Sequence, residues 1–334
     1  MRRTPALPAV LALSFAAAAC AVPAAPPTAS PTPPSGAREP ATEAPARDGS
    51  VGVLVMAHGG SPEWNASVDA AVAPLSADVP TAVAYGMANP HTLAPALDAL
   101  RKQGVDRVAV VRLFLSGESF LDQTRYLLGM SDTPPATFVL MGPAAADPEA
   151  RRPIRHDLAL ATHDDGILGS PEATEVMVDR ARTVSVRPAT ESVLLLAHGM
   201  GDEAENRRVL DAMERVADRV ADAGFAEVEV ETLREDWEQE RVDAERRIRG
   251  WVERQDEEGR RAIVLPMRLS GFGPYAEVLA GLSYTAGEGL LPHEAIGRWI
   301  RATADRVSCG NGWGAVADAC PAVVVDEQER PVGR

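Results

Sequence analysis

Two stretches of the sequence decide the fold: VGVLVMAHGGSPEWN at residues 51–65 and SVLLLAHGMGDEAEN at residues 192–206. Each is an apolar run followed by Ala-His-Gly, a polar loop and an Asn. Continuous apolar runs of this length are typical of strands that are covered on both faces. The repeated pattern predicts an internal duplication, in which His58 corresponds to His198.

A second pair of stretches supports the duplication. DRVAVVRLFLSGESF begins at Asp106 and RRAIVLPMRLSGFGPY begins at Arg260, and each contains an apolar strand that ends in Leu-Ser-Gly. Stretches with helical periodicity lie between the strands of each half. Alternation of strands and helices predicts an α/β fold. We therefore expect two lobes, each a parallel sheet flanked by helices, with a cleft between them.

The pattern also predicts the boundaries of the strands and of the domains. In the first half, strands are expected at 51–57, 81–85, 108–114 and 137–141. In the second half, they are expected at 193–197, 228–232 and 262–265, with a weakly signalled fourth near Tyr284. The predicted domains are a signal peptide (1–19), a tether (20–50), lobe 1 (51–150), a connecting segment (151–190), lobe 2 (191–307) and a tail (308–334).

The N-terminus has the pattern of an export signal. Arg2 and Arg3 precede an apolar run that ends in Ala-Ala-Ala and Cys20. This arrangement resembles the bacterial lipobox, which implies a lipid on Cys20 and a membrane anchor at the cell envelope, on the periplasmic or extracellular face. An ordinary signal peptide with an incidental Cys is the alternative. Residues 21–50 are rich in Ala, Pro, Ser and Thr, a composition that predicts an extended tether.

Composition and cysteine use limit the class of protein further. The chain has 334 residues, of which 46% are hydrophobic and 24% charged, and its net charge is -15. These values exclude a mainly disordered chain and a multi-span membrane protein. An acidic chain is a poor candidate for nucleic acid binding. Outside the cytoplasm, Cys309 and Cys320 are free to form a disulfide, although two unpaired thiols are the alternative.

The repeated histidines are the first candidates for a functional site. His58 and His198 directly follow the first strand of each half, and ligands of open parallel sheets bind beyond the carboxyl ends of the strands. An imidazole there can hold a metal ion or carry a proton. The alternative is a loop histidine that is held by a backbone carbonyl.

With these motifs, the sequence resembles the sirohydrochlorin chelatases of the CbiX/SirB type, the class II chelatases. In the first half, the resemblance rests on AHGGSPEWN, on NPHTLAPALDALRKQGVDRVAVVRLFL from Asn89 and on MGPAAADPEA from Met141. In the second half, it rests on AHGMGDEAEN and VLPMRLSG. It covers roughly residues 50–307 and implies insertion of divalent cobalt, iron or nickel into a tetrapyrrole such as sirohydrochlorin.

The resemblance implies a catalytic role for His58, with His198 as its counterpart, but the sequence departs from the family pattern after the third strand. A second family His is expected near Ser119, where the chain reads FLSGESF from Phe114. Glu118 is a candidate substitute metal ligand, or else a solvated loop acid. The predicted metal ligands are His58, Glu118, His198 and His293, the last of which lies in LLPHEAIGRW near the start of the predicted last helix.

Two arginines are candidates for binding the acidic side chains of a tetrapyrrole. Arg112 lies on the third strand of lobe 1, and Arg268 lies near the end of the equivalent strand of lobe 2. Carboxylates favour the planar fork of arginine, although a local salt bridge would explain either residue equally well.

Three hypotheses follow from these residues. The first is a chelatase that takes a metal and a tetrapyrrole into its cleft. The second is a non-catalytic metal- or tetrapyrrole-binding lipoprotein, which the export signal and the missing His favour. The third is an interaction protein that has kept the fold and lost the site.

Overall fold

The computed structural model describes residues 49–322 and contains, within that range, two separate parallel sheets of four strands. The first sheet has the order β2-β1-β3-β4 and the second has the order β6-β5-β7-β8. Every strand pairs in parallel with its neighbour. The strands are β1 (Val51–Ala57), β2 (Thr81–Tyr85), β3 (Arg107–Leu113), β4 (Ala159–Thr162), β5 (Glu191–Ala197), β6 (Glu227–Thr232), β7 (Arg261–Pro266) and β8 (Thr285–Ala286). The predicted α/β class with two parallel sheets is confirmed.

Helices follow the strands in the order that the duplication predicts. Several begin at a side chain that accepts a hydrogen bond from the first turn, as Ser61, Ser170 and Asp202 do, which satisfies a backbone donor that the helix leaves unpaired. The α-helices of the described residues are α1 (Pro62–Ser76), α2 (Pro90–Lys102), α3 (Leu121–Leu127), α4 (Pro171–Val184), α5 (Glu203–Ala221), α6 (Glu238–Glu257), α7 (Tyr275–Val278) and α8 (Glu294–Gly310).

One hydrophobic core joins the two sheets. It contains Val53 and Val55 from β1 together with Val193 and Leu195 from β5, all fully buried. Helices α1, α4, α5 and α8 contribute their apolar faces to it, while α2 and α6 cover the outer faces of the sheets. Alternate residues of each central strand are therefore buried on opposite faces, which explains their continuous apolar sequence.

Helices α4 and α8 tie the two sheets together. Helix α8 follows the second sheet in the chain but packs on β3 of the first sheet, where Trp299 lies edge-on to His163 with ring centroids 5.7 Å apart. Helix α4 follows the first sheet but packs on β7 of the second. Each sheet is therefore covered in part by a helix that belongs, in sequence, to the other half of the chain.

One predicted strand is wrong. Residues 137–141 are irregular, and the buried Gln123 amide bonds both the N–H and the carbonyl of Val139, at 2.8 and 3.0 Å. The fourth strand of the first sheet is instead β4, in the connecting segment, where it pairs with β3. The weak signal near Tyr284 corresponds to β8.

The described part of the tail is fastened to α8. Cys309 and Cys320 form a disulfide. The buried Asp305 carboxylate accepts hydrogen bonds from four consecutive backbone N–H groups, those of residues 316–319. No helix within residues 49–322 has both the length and the apolar composition needed to cross a membrane. The predicted signal peptide and Cys20, with most of the tether, lie outside the described residues.

Candidate metal centre

His58 and His198 are held in the same way at the carboxyl ends of β1 and β5. In each, Nδ1 lies 2.8 Å from the carbonyl oxygen of the following glycine, Gly59 or Gly199. A carbonyl oxygen only accepts, so each Nδ1 carries a proton, and Nε2 is the nitrogen that is left for another partner. Metal-binding imidazoles are commonly oriented in this way, by a hydrogen bond at the nitrogen that does not bind the metal.

The loops that carry the two histidines are built alike. The Gly60 N–H donates to Asn65 Oδ1 at 2.9 Å, and the Met200 N–H donates to Asn206 Oδ1 at 3.0 Å. The glycine after each histidine has a positive φ, 81° and 85°, a conformation that other residues rarely adopt. The repeated Ala-His-Gly and Asn of the sequence therefore correspond to a repeated loop structure.

An indole ring lies beside each imidazole. The ring centroids are 6.4 Å apart for His58 and Trp64, and 5.8 Å apart for His198 and Trp237. Trp64 comes from the first turn of α1, whereas Trp237 directly precedes α6. The duplication thus provides similar neighbours for the two histidines from different elements of each lobe.

The two histidines differ in their carboxylate neighbours. His198 Nε2 lies 3.2 Å from Asp236 Oδ2, in the loop after β6. Asp236 is a residue that the sequence analysis missed. In lobe 1, no carboxylate among the described residues forms an ion pair with His58, and Asp69 accepts a hydrogen bond of 2.5 Å from the Tyr85 hydroxyl. Burial raises the pKa of Tyr85, which keeps this hydroxyl protonated.

Glu118 lies in the exposed loop after β3 and pairs with an arginine of lobe 2. Its two carboxylate oxygens lie 2.8 and 3.1 Å from Nη2 of Arg208, on α5. This hydrogen bond raises the pKa of Arg208. The predicted substitute ligand therefore bridges the two lobes in the structure.

The structure does not support a ligand role for His293. His293 is the N-cap of α8, and its Nδ1 accepts a hydrogen bond of 3.2 Å from the Ala295 N–H. The proton therefore lies on Nε2, which faces Asp179 of α4 at 3.5 Å. This arrangement offers no free lone pair to a metal ion.

The side chain of Arg112, a predicted tetrapyrrole-binding residue, is fully buried. The guanidinium donates to the carbonyls of His163, Gly117 and Ser119, and so holds the loop after β3. Burial lowers the pKa of Arg112 to about 10. A tetrapyrrole carboxylate would have to displace these bonds to reach it.

Arg268 is half-buried and bonded to the Glu235 carboxylate, and it lies over the Tyr275 ring, 5.7 Å from the centroid. The pairing of strands also shows that Arg112 and Arg268 are not equivalent. In lobe 1, Leu113 of β3 pairs with Ala57 of β1. In lobe 2, the Met267 N–H bonds to the equivalent part of β5, so Met267 corresponds to Leu113. The counterpart of Arg268 is therefore the next residue after Leu113, Phe114.

The four predicted metal ligands do not form one cluster. Within residues 49–322, no group of three or more His, Cys, Asp or Glu side chains is arranged to hold a metal ion. Two cavities of about 350 and 550 Å³ lie beside β4 and between α4 and α5. None of the predicted site residues lines either cavity.

The chain is similar in structure to sirohydrochlorin chelatases. SirB from Bacillus subtilis with Fe3+ matches with a TM-score of 0.56 and 13% identity, over 80% of this chain and 100% of that one. SirB from Bacillus subtilis subspecies spizizenii in complex with cobalt matches with a TM-score of 0.51 and 12% identity, over the same shares. A chelatase-like multi-domain protein, DR2241 from Deinococcus radiodurans, has a TM-score of 0.47 and 17% identity, over 77% of this chain and 55% of that one.

No family model matches the chain, and no curated protein matches it in sequence. The structural similarity extends over both lobes and agrees with the resemblance that the sequence motifs indicate. At this level of identity, it is the fold that the two SirB structures establish. The chain has the fold of the SirB-type sirohydrochlorin chelatases.

Proposed function

We propose that the protein is a chelatase that presents a divalent metal ion to a tetrapyrrole at the carboxyl ends of β1 and β5. The observation that carries this proposal is the shared orientation of His58 and His198, in which Nδ1 is bound to a glycine carbonyl and Nε2 is the nitrogen left for a metal ion or a proton. Imidazole nitrogen suits iron, cobalt and nickel. The similar SirB structures, solved with Fe3+ and with cobalt, support iron and cobalt as candidate metals.

The chemistry needs two functions that an imidazole can perform. As the ion forms bonds to the ring nitrogens, two pyrrole N–H groups lose their protons, so that each ring and each divalent ion yield one metallated ring and two protons. One Nε2 lone pair either holds the ion or accepts a proton, but not both at once. Two histidines in equivalent loops provide both functions within one molecule.

A second candidate function is a non-catalytic metal- or tetrapyrrole-binding lipoprotein. Two observations favour it: the loop around Ser119, where the family resemblance implies a second His, contains none, and the described residues contain no three-ligand metal group. Export and a lipid on Cys20 belong to this proposal, because a protein tethered at the envelope would meet metal ions before the cytoplasmic enzymes do.

The test is metallation of sirohydrochlorin by Co²⁺, followed by the change in ring absorbance, with the full chain against a protein-free control. The double variant His58→Ala/His198→Ala should lose about 100-fold in rate, the scale of a general acid–base contribution. An unchanged rate in the double variant would show that the site is elsewhere. Tight binding of the ring or the metal with no rate above the control would support the second candidate.

A further inference from the structure

We propose that the connection between α3 and β4 in lobe 1, residues 128–158, binds the tetrapyrrole, and that its exposed Val139 and Met141 side chains pack against the apolar face of the ring. We call this connection the insertion. The inference rests on the proposed function and deepens it by naming residues that bind the ring rather than the metal ion.

The insertion is a difference between two halves that otherwise repeat each other. In lobe 1, residues 128–158 join α3 to β4, whereas in lobe 2 only residues 279–284 join α7 to β8. Apart from short 3₁₀ turns at 142–146 and 148–151, the insertion is irregular. Irregular connections of this length are uncommon in compact domains, and most of them are functional loops or linkers. Because lobe 2 forms the same type of sheet without it, the insertion is not needed for the fold of a lobe.

The insertion exposes apolar side chains close together. Within residues 49–322, four large hydrophobic side chains are exposed, and two of them are Val139, at 42%, and Met141, at 58%. The other two, Val186 and Val242, lie far from each other in sequence. Isolated exposed apolar residues need no explanation, whereas adjacent ones mark a surface that binds an apolar partner.

The backbone of this exposed segment is fixed. The buried Gln123 side chain accepts the Val139 N–H at 2.8 Å and donates to the Val139 carbonyl at 3.0 Å. The same amide donates to the Ala88 carbonyl at 3.1 Å, in the loop after β2. Beneath the segment, Phe138 lies edge-on to Tyr126 of α3, with ring centroids 5.8 Å apart. The exposed side chains therefore stand on a fixed support, which lowers the entropy cost of binding a ligand.

The contacts of the insertion place it at the edge of the sheet that carries His58. The loop after β2, which Gln123 joins to the insertion, is bonded to β1 by the Gly86 N–H, which donates to the Ala57 carbonyl at 3.0 Å. Ala57 directly precedes His58. Further along the insertion, Asp147 Oδ2 lies 2.7 Å from His91 Nε2, at the start of α2. A planar ring that is metallated at His58 would lie along this edge of lobe 1.

The charges of the insertion suit a ring with several carboxylates. The chain has a net charge of -15, which opposes the binding of an anionic ligand over most of the surface. No residue between Asp132 and Asp147 is charged, however. Arg151 and Arg155 follow in the same insertion, and both are exposed. An uncharged apolar surface followed by arginines matches a ligand with an apolar face and an acidic rim.

The experiment is a titration of metal-free sirohydrochlorin with the full chain, followed by ring absorbance, in parallel with the metallation assay. The double variant Val139→Ser/Met141→Ser should weaken ring binding about 10-fold, because the ring would no longer cover apolar side chains. Its KM should rise by a similar factor, with kcat changed less than about 2-fold, since these side chains hold the ring and do not react.

The matched control is Val186→Ser/Val242→Ser, which removes the two exposed apolar side chains outside the insertion. It should change ring binding and KM less than about 2-fold. Circular dichroism checks that both double variants are folded, which their exposed positions favour.

The outcomes separate this inference from the proposed function. If Val139→Ser/Met141→Ser binds the ring as the wild type does, the insertion is not the ring site even where the protein metallates the ring. If ring binding falls as expected but the wild type gives no metallation above the protein-free control, the ring site stands and the chelatase activity fails. Absence of ring binding to the wild-type chain would overturn the inference.

Two further measurements test the other partners that an exposed apolar surface could bind. Analytical ultracentrifugation detects a second copy of the chain, and flotation with phosphatidylethanolamine and phosphatidylglycerol vesicles detects a lipid membrane. Loss of self-association or of vesicle binding in Val139→Ser/Met141→Ser, together with unchanged ring binding, would assign the surface to that partner and contradict the inference.

Discussion

The two lobes have the same first loop and different second loops. Both hold an imidazole through a glycine carbonyl and close the loop with an asparagine from the next helix. After the second strand, however, lobe 1 has the capping amide of Asn89 and lobe 2 has the carboxylate of Asp236. The comparison teaches that the duplicated scaffold positions the two histidines alike, while the polar side chains beside them differ between the lobes.

The loops after the third strands provide the largest expected difference between the lobes, which is the loss of unfolding free energy when a glycine is replaced by alanine. Gly117 and Gly271 occupy the same place in the two Leu-Ser-Gly motifs. A Cβ atom at Gly117 would lie 1.8 Å from the Asp164 carbonyl oxygen, whereas one at Gly271 would meet nothing within 4 Å. Gly117→Ala should therefore cost roughly 3 kcal/mol or more of unfolding free energy. Gly271→Ala should cost about 1 kcal/mol, because the φ of Gly271 is 77°.

Urea denaturation of the two alanine variants measures this difference. Equal losses in the two variants would mean that the loops are not packed as differently as the contacts indicate. A small loss at Gly117 alone would show that the segment around Asp164 moves away at little cost.

The residues after the fourth strands provide a smaller expected difference, in how the free energy of unfolding depends on pH. His163 follows β4 and is 7% exposed, and the equivalent position after β8 is Gly287. Burial, with the nearby Arg112, lowers the pKa of His163 to about 4, against 6.5 for the free side chain. Between these values the unfolded chain binds the proton and the folded chain does not, so the free energy of unfolding should fall by about 2 kcal/mol as the pH drops from 6.5 to 4.

His163→Gln is the variant that isolates this effect. Glutamine keeps an acceptor for the Arg112 N–H, which now donates to His163 Nε2 at 2.9 Å. The pH dependence of the unfolding free energy should be flatter in the variant than in the wild type between pH 4 and 6.5. Parallel curves in that range would contradict the lowered pKa.

The ion pair between the lobes provides the smallest effect. Glu118 and Arg208 are each about half exposed, at 50% and 56% of the side chain. Solvent screening makes such exposed pairs weak. In a double-mutant cycle with Glu118→Gln and Arg208→Gln, the coupling energy should be the smallest of the effects described, and neither substitution should change Co²⁺ affinity. A loss of Co²⁺ binding in Glu118→Gln alone would restore Glu118 as a metal ligand.

Much of the fold follows from the sequence, and the misses have physical causes. The central strands are apolar without interruption because helices cover both of their faces, and this pattern is unambiguous. β4 is a short edge strand, whereas the apolar run at 137–141 is partly exposed and is held by the Gln123 side chain. Hydrophobicity alone does not distinguish a buried strand from an apolar loop whose backbone is bonded to a buried amide.

The candidate site likewise has residues that the sequence predicts and residues that it misses. His58 and His198 can be found from the repeat, because identical loops need identical glycines. Asp236 could have been found by extending the repeat through β2 and β6, but only the strand register aligns it with Asn89. The burial of Arg112 and the capping role of His293 depend on neighbours distant in sequence, namely His163 and the packing of α8 beside α4.

The sequence by itself determined the duplication, the parallel α/β class and the two imidazoles at the carboxyl ends of the first strands, because these depend on local periodicity and on short loop motifs. Only the tertiary structure decided which polar side chains remain free. Helices α4 and α8 cross between the sheets, Arg112 is buried under its own loop, and Asp236 is brought to His198. Each of these contacts joins residues far apart along the chain, and no local pattern encodes the distance between them.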